Sequence, residues 1–452
     1  MGRLKNFLSI VVYLVGLQSV LLNAFDIAPF SPLASAWVMV IAQLVRILID
    51  DPRDSLEMML AIIGVSMYYF SGLGLIYIAG VDNVVGIVFS FIVIADILRA
   101  IFAGSQVIPL QRTITYSSIR EYGVDRFVFF FLLLWASFSG LFIGYGGGKF
   151  LSLFLFTVPY AVSLIFFERI LSYGVGRKVV VWLLALYVFM TVVYLAFYWS
   201  GFGRMIILGY VLVPILLASH YMDVKFRAWF VVLISPVASF VSHFSRYGSV
   251  SDVSDLTLGS AAHHIAVTSD AFQYYYSGLM YTSDSFLDQY LLFLFNWVPR
   301  DMWPDKPIGA GWSSVGEMYG RAGYGEGYSQ SLGFIGEQVY LLGPWFLVGL
   351  FVMIATLIVL RFFLIHASKG YVLPVILFDV SLMAYFWGGM ASVGSRLWFA
   401  LIPVLFYIQI VDRISVRRQG LYASDSFLLG DLRTNGTTQE KIRDDSGYER
   451  QG

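Results

Sequence analysis

The chain has 452 residues, of which 58% are hydrophobic, 17% aromatic and only 13% charged, with zero formal net charge. A soluble domain carries about a quarter charged residues, so this composition belongs in a bilayer. The neutral balance argues against nucleic acid as a partner, and the absence of cysteine excludes a disulfide framework or a thiolate metal site.

The N-terminus has a basic start at Arg3 and Lys5, then runs apolar to Phe25 without a small-residue cleavage pattern. It reads as a first membrane helix rather than a removed signal. A hydrocarbon core takes about 20 apolar residues per helix. On that measure the sequence predicts an all-α, polytopic protein with about twelve spans. They fall at 7–25, 31–49, 56–79, 82–103, 127–145, 149–167, 179–199, 205–221, 227–243, 338–364, 371–390 and 396–412. The tenth is long enough that its first turns are expected to stand clear of the membrane. Four regions follow: spans one to nine over 1–243, a large loop over 244–337, three closing spans over 338–413, and a tail over 414–452. The tail is polar, mixed in charge and poor in apolar residues, a composition expected to stay disordered.

Lysine and arginine fix the orientation. With the N-terminus cytoplasmic, all but seven of the 29 basic residues fall on cytoplasmic segments. The seven are Lys149, Arg204, Arg246, Arg300, Lys306, Arg321 and Arg396. Both termini are then cytoplasmic and the large loop faces the other side. Cations that run against this bias need a reason. Arg204 opens the eighth span, Arg246 follows the ninth and Arg396 opens the twelfth, so all three sit at the outer interface, where they could converge with Arg300 of the loop. Arginine grips phosphate oxygens through a planar fork of donors and stays charged at any relevant pH.

Within the loop, acidic residues outnumber basic ones, so it is no general anion sponge. A few cations gripping a pyrophosphate, with carboxylates and aromatics contacting sugars, fit this balance. Trp297, Trp303, Trp312 and Tyr274, Tyr275, Tyr276 and Tyr281 supply aromatic faces, or else form an interfacial belt. The segment 284–298 is too short to span and puts Leu287, Leu291 and Leu294 on one stripe, which predicts an interfacial helix. It delivers the string VPRDMWPDKP at 298–307, where Pro299, Pro304 and Pro307 prevent a continuous helix and hold Arg300 on a bend. His263 and His264 are adjacent and point apart on a helix, a poor metal site, and no carboxylate cluster with metal spacing appears. Two acids fall inside predicted spans, where an ionisable residue is a functional candidate by default. Asp96 has Arg99 one turn away as a pairing partner. Asp379 has no obvious partner in sequence, which leaves a proton relay open there.

The string WVPRDMWPDKP, followed by GAGWSSVGEMYGRAGYGEGYSQSLGFIGEQVY, resembles the Wzy-type O-antigen polymerases, the oligosaccharide repeat-unit polymerases. In that family a Pro-Arg and a Trp-Pro-Asp/Asn-Lys-Pro element precede a Gly-rich stretch with a glutamate. The matching positions are Pro299–Arg300, Trp303–Pro307 and Glu317, and Arg204 in SGFGR matches an outer arginine after a small-residue turn. The resemblance covers most of the chain except the tail. It implies a fold like the multi-span lipid-dependent (GT-C-like) glycosyltransferases in the bacterial inner membrane, with its active face periplasmic. It also implies transfer of a growing glycan from undecaprenyl pyrophosphate to the non-reducing end of another lipid-linked repeat unit. No nucleotide sugar, other cofactor or metal is implied, and the partners are the lipid-linked oligosaccharide, membrane lipids and a chain-length regulator protein.

Departure of the pyrophosphate leaves negative charge to be stabilised. Arg204, Arg246, Arg300 and Arg396 are the candidates for that role, assisted by Lys306, with Trp303 and Arg321 as further contacts. Glu317 is the first candidate base for the acceptor hydroxyl, with Asp305 or His264 behind it. Two rivals remain: an O-antigen ligase using the same donor, and a lipid-linked oligosaccharide flippase or transporter. A flippase usually keeps short loops and places charge within its bundle. A non-enzymatic scaffold ranks last.

Overall fold

A computed structural model describes residues 2–24, 32–50, 54–70, 72–73, 75, 83–102, 119–143, 149–197, 204–222, 265–275, 277–278, 282, 284–320, 329–394 and 397–410. Every regular element among them is helical. In chain order they are α1 (Gly2–Ala24), α2 (Pro32–Asp50), α3 (Ser55–Ile63, continued by a π-helical stretch Gly64–Tyr69), α4 (Asn83–Phe102), α5 (Ile119–Ile143), α6 (Lys149–Ser172), α7 (Arg177–Phe197) and α8 (Arg204–Met222). There follow α9 (265–275), α10 (Phe286–Phe295), α11 (Ala310–Tyr319), α12 (Gly333–Leu342), α13 (Phe346–Ala367), α14 (Leu373–Gly388) and α15 (397–410). Met1–Val404 forms one compact unit; Leu405–Gly452 forms a second, helical over its described residues 405–410.

Three helical runs among the described residues are long and apolar enough to cross a bilayer: Val84–Phe102, Gly333–Ala367 and Met390–Ile410. Large apolar side chains elsewhere stand without protein cover, with Trp182 74%, Phe127 71% and Phe351 72% exposed. In water such faces are costly, so they belong against lipid. The chain is therefore an all-α protein with membrane-spanning character.

The second of those runs corrects the expected tenth span. A continuous helix would place residues 338 and 349 about 16 Å apart. Instead the Gln338 side chain presses on Gly349. The chain folds back through the 3-10 turn Gly343–Trp345, where Gly343 has φ 53° and Pro344 supplies no amide donor. α12 is thus a short buried helix packed on α13, and the long span begins at Phe346. The predicted ninth span and the tail lie outside the described residues.

Local sequence sets the helix starts. Asp54 caps α3 by accepting the Glu57 backbone N–H at 2.7 Å, as expected for an acid three residues before a glutamate. The π-helical stretch turns Tyr68 and Tyr69 into the core. Tyr68 stacks on Phe91 at 4.3 Å and its hydroxyl donates to the Phe386 carbonyl at 3.0 Å, while Phe334 meets Phe386 edge-on at 4.7 Å. α3, α4, α12 and α14 therefore share one aromatic core.

Buried charge ties the helices together. Asp379, fully buried, receives a bidentate Arg361 fork at 2.8 and 3.1 Å and the Ser55 hydroxyl, while the guanidinium lies 4.4 Å from the Phe102 ring centre. The acid that lacked an obvious partner in sequence is paired through a neighbouring helix. Asp96 joins Arg46 at 2.6 Å and Arg99 at 3.3 Å and accepts from Tyr13, linking α1, α2 and α4; the expected Arg99 pairing is present, but Arg46 makes the closer contact. Glu168 on α6 accepts the Leu373 N–H at 3.2 Å, the Val372 N–H and the Tyr221 hydroxyl. Its oxygens satisfy amide donors that the N-terminus of α14 leaves open.

Candidate functional site

α14 has 16 residues, so about 24 Å separate its charged N-terminal end from its C-terminal end, where the loop assembles. There the loop is held largely by side chains that capture backbone groups. Ser285 caps α10, and Gln289, Leu292 and Phe293 face inward. Leu287, from the stripe expected to lie in the membrane interface, is 61% exposed, and the buried face is offset from it. Gln289 uses both ends of its amide, donating to the Ile308 carbonyl at 2.8 Å and accepting the Ala310 N–H at 3.0 Å. The far end of α10 is seated on Ala391, Gly394 and Trp398. Asn296 donates to the Ala391 carbonyl at 2.9 Å, the Trp398 indole donates to the Phe293 carbonyl at 2.8 Å, and Gly394 packs directly on the Leu292 and Phe293 carbonyls.

The proline-rich string then turns sharply. The Met302 and Trp303 amides both donate to the Pro299 carbonyl, at 3.1 and 3.0 Å, and the Lys306 amide donates to Trp303 at 3.0 Å. Lys306 Nζ donates to the Asn296 and Val298 carbonyls at 2.6 and 2.8 Å, satisfying acceptors left open where α10 ends. Burial, with the Arg300 charge beside it, lowers the Lys306 pKa. Arg300 donates to the Lys306 carbonyl at 2.7 Å and to the Pro307 carbonyl at 3.4 Å while staying exposed. Both cations brace their own turn. Guanidinium has five N–H donors, so these two bonds leave Arg300 capacity toward solvent. Asp305 is exposed and Trp303 half-buried.

α11 carries Glu317. Gly311 sits against the backbone of Gln330, whose N–H donates to the Gly311 carbonyl at 2.9 Å and whose side chain donates to Ser314 Oγ at 3.0 Å. One turn on, Glu317 accepts the Tyr340 hydroxyl of α12 at 2.6 Å. Asp284, just before α10, faces this pair; Ser313 hydrogen-bonds it, while its Oδ2 is buried with no hydrogen-bond partner among the described residues. Burial pushes the Asp284 carboxyl above its ordinary value; Glu317 and Asp288 add to the rise and Ser313 opposes it. The pH dependence follows. The unfolded chain releases this proton first, so the stabilising contribution is complete below the ordinary aspartate pKa. It is lost as pH rises through the higher folded value. Thermal unfolding in detergent is expected to show Asp284→Asn gaining on the wild type between pH 4 and pH 7. A constant difference across that range would refute the assignment.

Of the other expected site residues, Arg204 opens α8, with its side chain outside the described part of the structure. Arg246, His264, Arg321 and Arg396 also lie outside the described residues. The flanks of Arg396, at Gly394 and Trp398, are those on which α10 is seated. Among the described residues no group of three or more His, Asp or Glu side chains is arranged to hold a metal. Sequence reasoning passed over Asp284, Asn296, Glu337 and Tyr340. Glu337, 2% exposed, accepts the Met390 N–H at 2.7 Å; as one acid inside an apolar run, it carries no spacing signal. Comparisons with protein-family models, curated proteins and solved structures find no match to this chain.

Proposed function

We propose that the chain is a polytopic inner-membrane glycosyltransferase of the repeat-unit polymerase kind, with about twelve spans, both termini cytoplasmic and the loop periplasmic. One observation carries this reading most directly. The string that resembles the polymerases is anchored through Asn296 and Phe293 to Ala391, Gly394 and Trp398, residues that flank Arg396 in sequence. Such anchoring suits a diphosphate, since arginines held on rigid elements stabilise developing charge without reorganising.

In the proposed reaction the acceptor hydroxyl oxygen attacks the anomeric carbon of the donor glycan. The anomeric C–O bond breaks and its electron pair leaves with undecaprenyl pyrophosphate. Arg204, Arg246, Arg300 and Arg396 receive that charge, and the hydroxyl proton passes to a carboxylate. Glu317 remains the first candidate, with Asp305 and His264 behind it. Lys306 supports Arg300 by holding the turn, and its charge acts on the leaving group through space. A chain-length regulator and the lipid-linked oligosaccharide are the proposed partners.

The test is glycan banding. A deletion strain is expected to carry a single repeat on lipid A core; loss of every repeat would point to a ligase or a flippase instead. Complementation with Arg300→Ala, Arg204→Ala or Glu317→Ala is expected to fail, with rate losses of about 100-fold or more for each missing charge contact. Normal ladders from all three at matched membrane abundance would refute the site.

A further inference from the structure

Glu337 lies outside the set of cations and acids assigned above. It is buried on α12, and its Oε2 accepts the Met390 N–H at 2.7 Å. The acceptor stands where α14 ends. Gly389 has φ 78°, its N–H donates to the Tyr385 carbonyl, and the chain restarts as helix at Met390. A Cβ on residue 389 would come within 2.5 Å of the Glu337 carboxyl group, so glycine is required for both the left-handed turn and the close approach. The restarted segment is the one that seats α10 through Ala391, Gly394 and Trp398. α10 in turn holds the Arg300 turn through Lys306.

We infer that Glu337 is a positioning residue: by capping the segment that begins at Met390, it sets where α10 and the Arg300 turn stand against Ala391, Gly394 and Trp398. The inference deepens the proposed function and rests on it for its catalytic consequence. Its geometric part stands alone. A carboxylate at the first amide of a helical segment satisfies a donor that the broken helix leaves open. A buried acid inside an apolar helix is costly to keep, and this one has a specific amide to serve.

The absence of native cysteine makes the test clean. In full-length protein in native membranes, Phe295→Cys, which leaves the Asn296 bond to Ala391 in place, and Ala391→Cys are joined with a thiol cross-linker, in wild-type, Glu337→Ala, Glu337→Gln and Gly389→Ala backgrounds. Glutamine keeps an acceptor oxygen for Met390, so Glu337→Gln is expected to cross-link as the wild type does. Glu337→Ala and Gly389→Ala are expected to cross-link poorly at unchanged membrane abundance. On the glycan readout a displacement of about 1 Å is expected to lower polymer formation by up to about 100-fold, with Glu337→Gln restoring it. Should Glu337→Ala be degraded, Gly389→Ala decides, because it keeps the glutamate but pushes its carboxyl group aside. Wild-type cross-linking in either variant overturns the inference, as does a Glu337→Gln variant as defective as Glu337→Ala. Cross-linking needs no substrate, so its result stands whichever banding the deletion strain gives. An absent banding defect in that strain would overturn the functional reading alone.

Discussion

Asp379→Ala is expected to destabilise the protein by about 3–5 kcal/mol, because it strands a buried guanidinium. Arg361 is 5% exposed and takes both oxygens of Asp379 as its ion-pair partner, so removing the carboxylate leaves a charge with little water to reach. The Phe102 ring, 4.4 Å from the guanidinium carbon, offsets only part of that cost. Replacing both members, as in Arg361→Met with Asp379→Leu, removes the stranded charge and is expected to recover most of the loss. Thermal unfolding of the detergent-purified protein checks both statements. A single variant as stable as the wild type, or a double variant worse than either single, would sink the account. The pair joins α13 and α14 and also engages Ser55 of α3, so its loss should loosen three helices together.

This pair also marks what could be read from the residues alone. Asp96 and Arg99 lie three apart on one helix, a spacing that puts them on one face, and their contact was foreseeable. Arg361 and Asp379 are 18 residues apart on two helices, and only the packing of α13 against α14 joins them. Helices survive as a sequence signal because apolar length alone announces them. Fold-backs within an apolar run do not, since Leu342 and Phe346 on either side of Gly343–Trp345 read as one continuous span. The cations of the VPRDMWPDKP string were legible as unusual, while their local bonding was not. A lysine ten residues past Asn296 reaches that carbonyl only because the turn through Pro299 and Pro304 returns the chain to the end of α10. Glu317 could be picked out as a candidate. Its Tyr340 partner sits one buried helix away and gives no pattern along the chain.

Gly394→Ala is expected to abolish polymer formation while leaving the protein in the membrane. A Cβ at residue 394 would overlap the Leu292 and Phe293 carbonyl oxygens and come within 3.0 Å of the Phe293 Cα. These are backbone atoms of α10, which cannot rotate aside as a flexible side chain would. The overlap therefore has two outlets. Either the fold bears an overpacking cost of about 1–3 kcal/mol, or α10 lifts from its seat. Lifting breaks the Asn296 and Trp398 bonds to the facing backbone, each contributing about 1 kcal/mol, a cost inside the same range, and it is the expected response. The Arg300 turn hangs from the end of α10 through Lys306 and would move with it, away from the segment that bears Arg396. Gly86→Ala is the control. It lies within α4 with nothing near its added Cβ, so the change should leave polymer formation intact and stabilise the helix by about 0.4–1 kcal/mol. Membrane abundance, cross-linking between α10 and residue 391, and glycan banding measured on both variants separate a lifted helix from a lost fold. Full-length ladders from Gly394→Ala would mean that α10 can leave its seat without consequence, and the coupling between the two arginine-bearing segments would have to be abandoned.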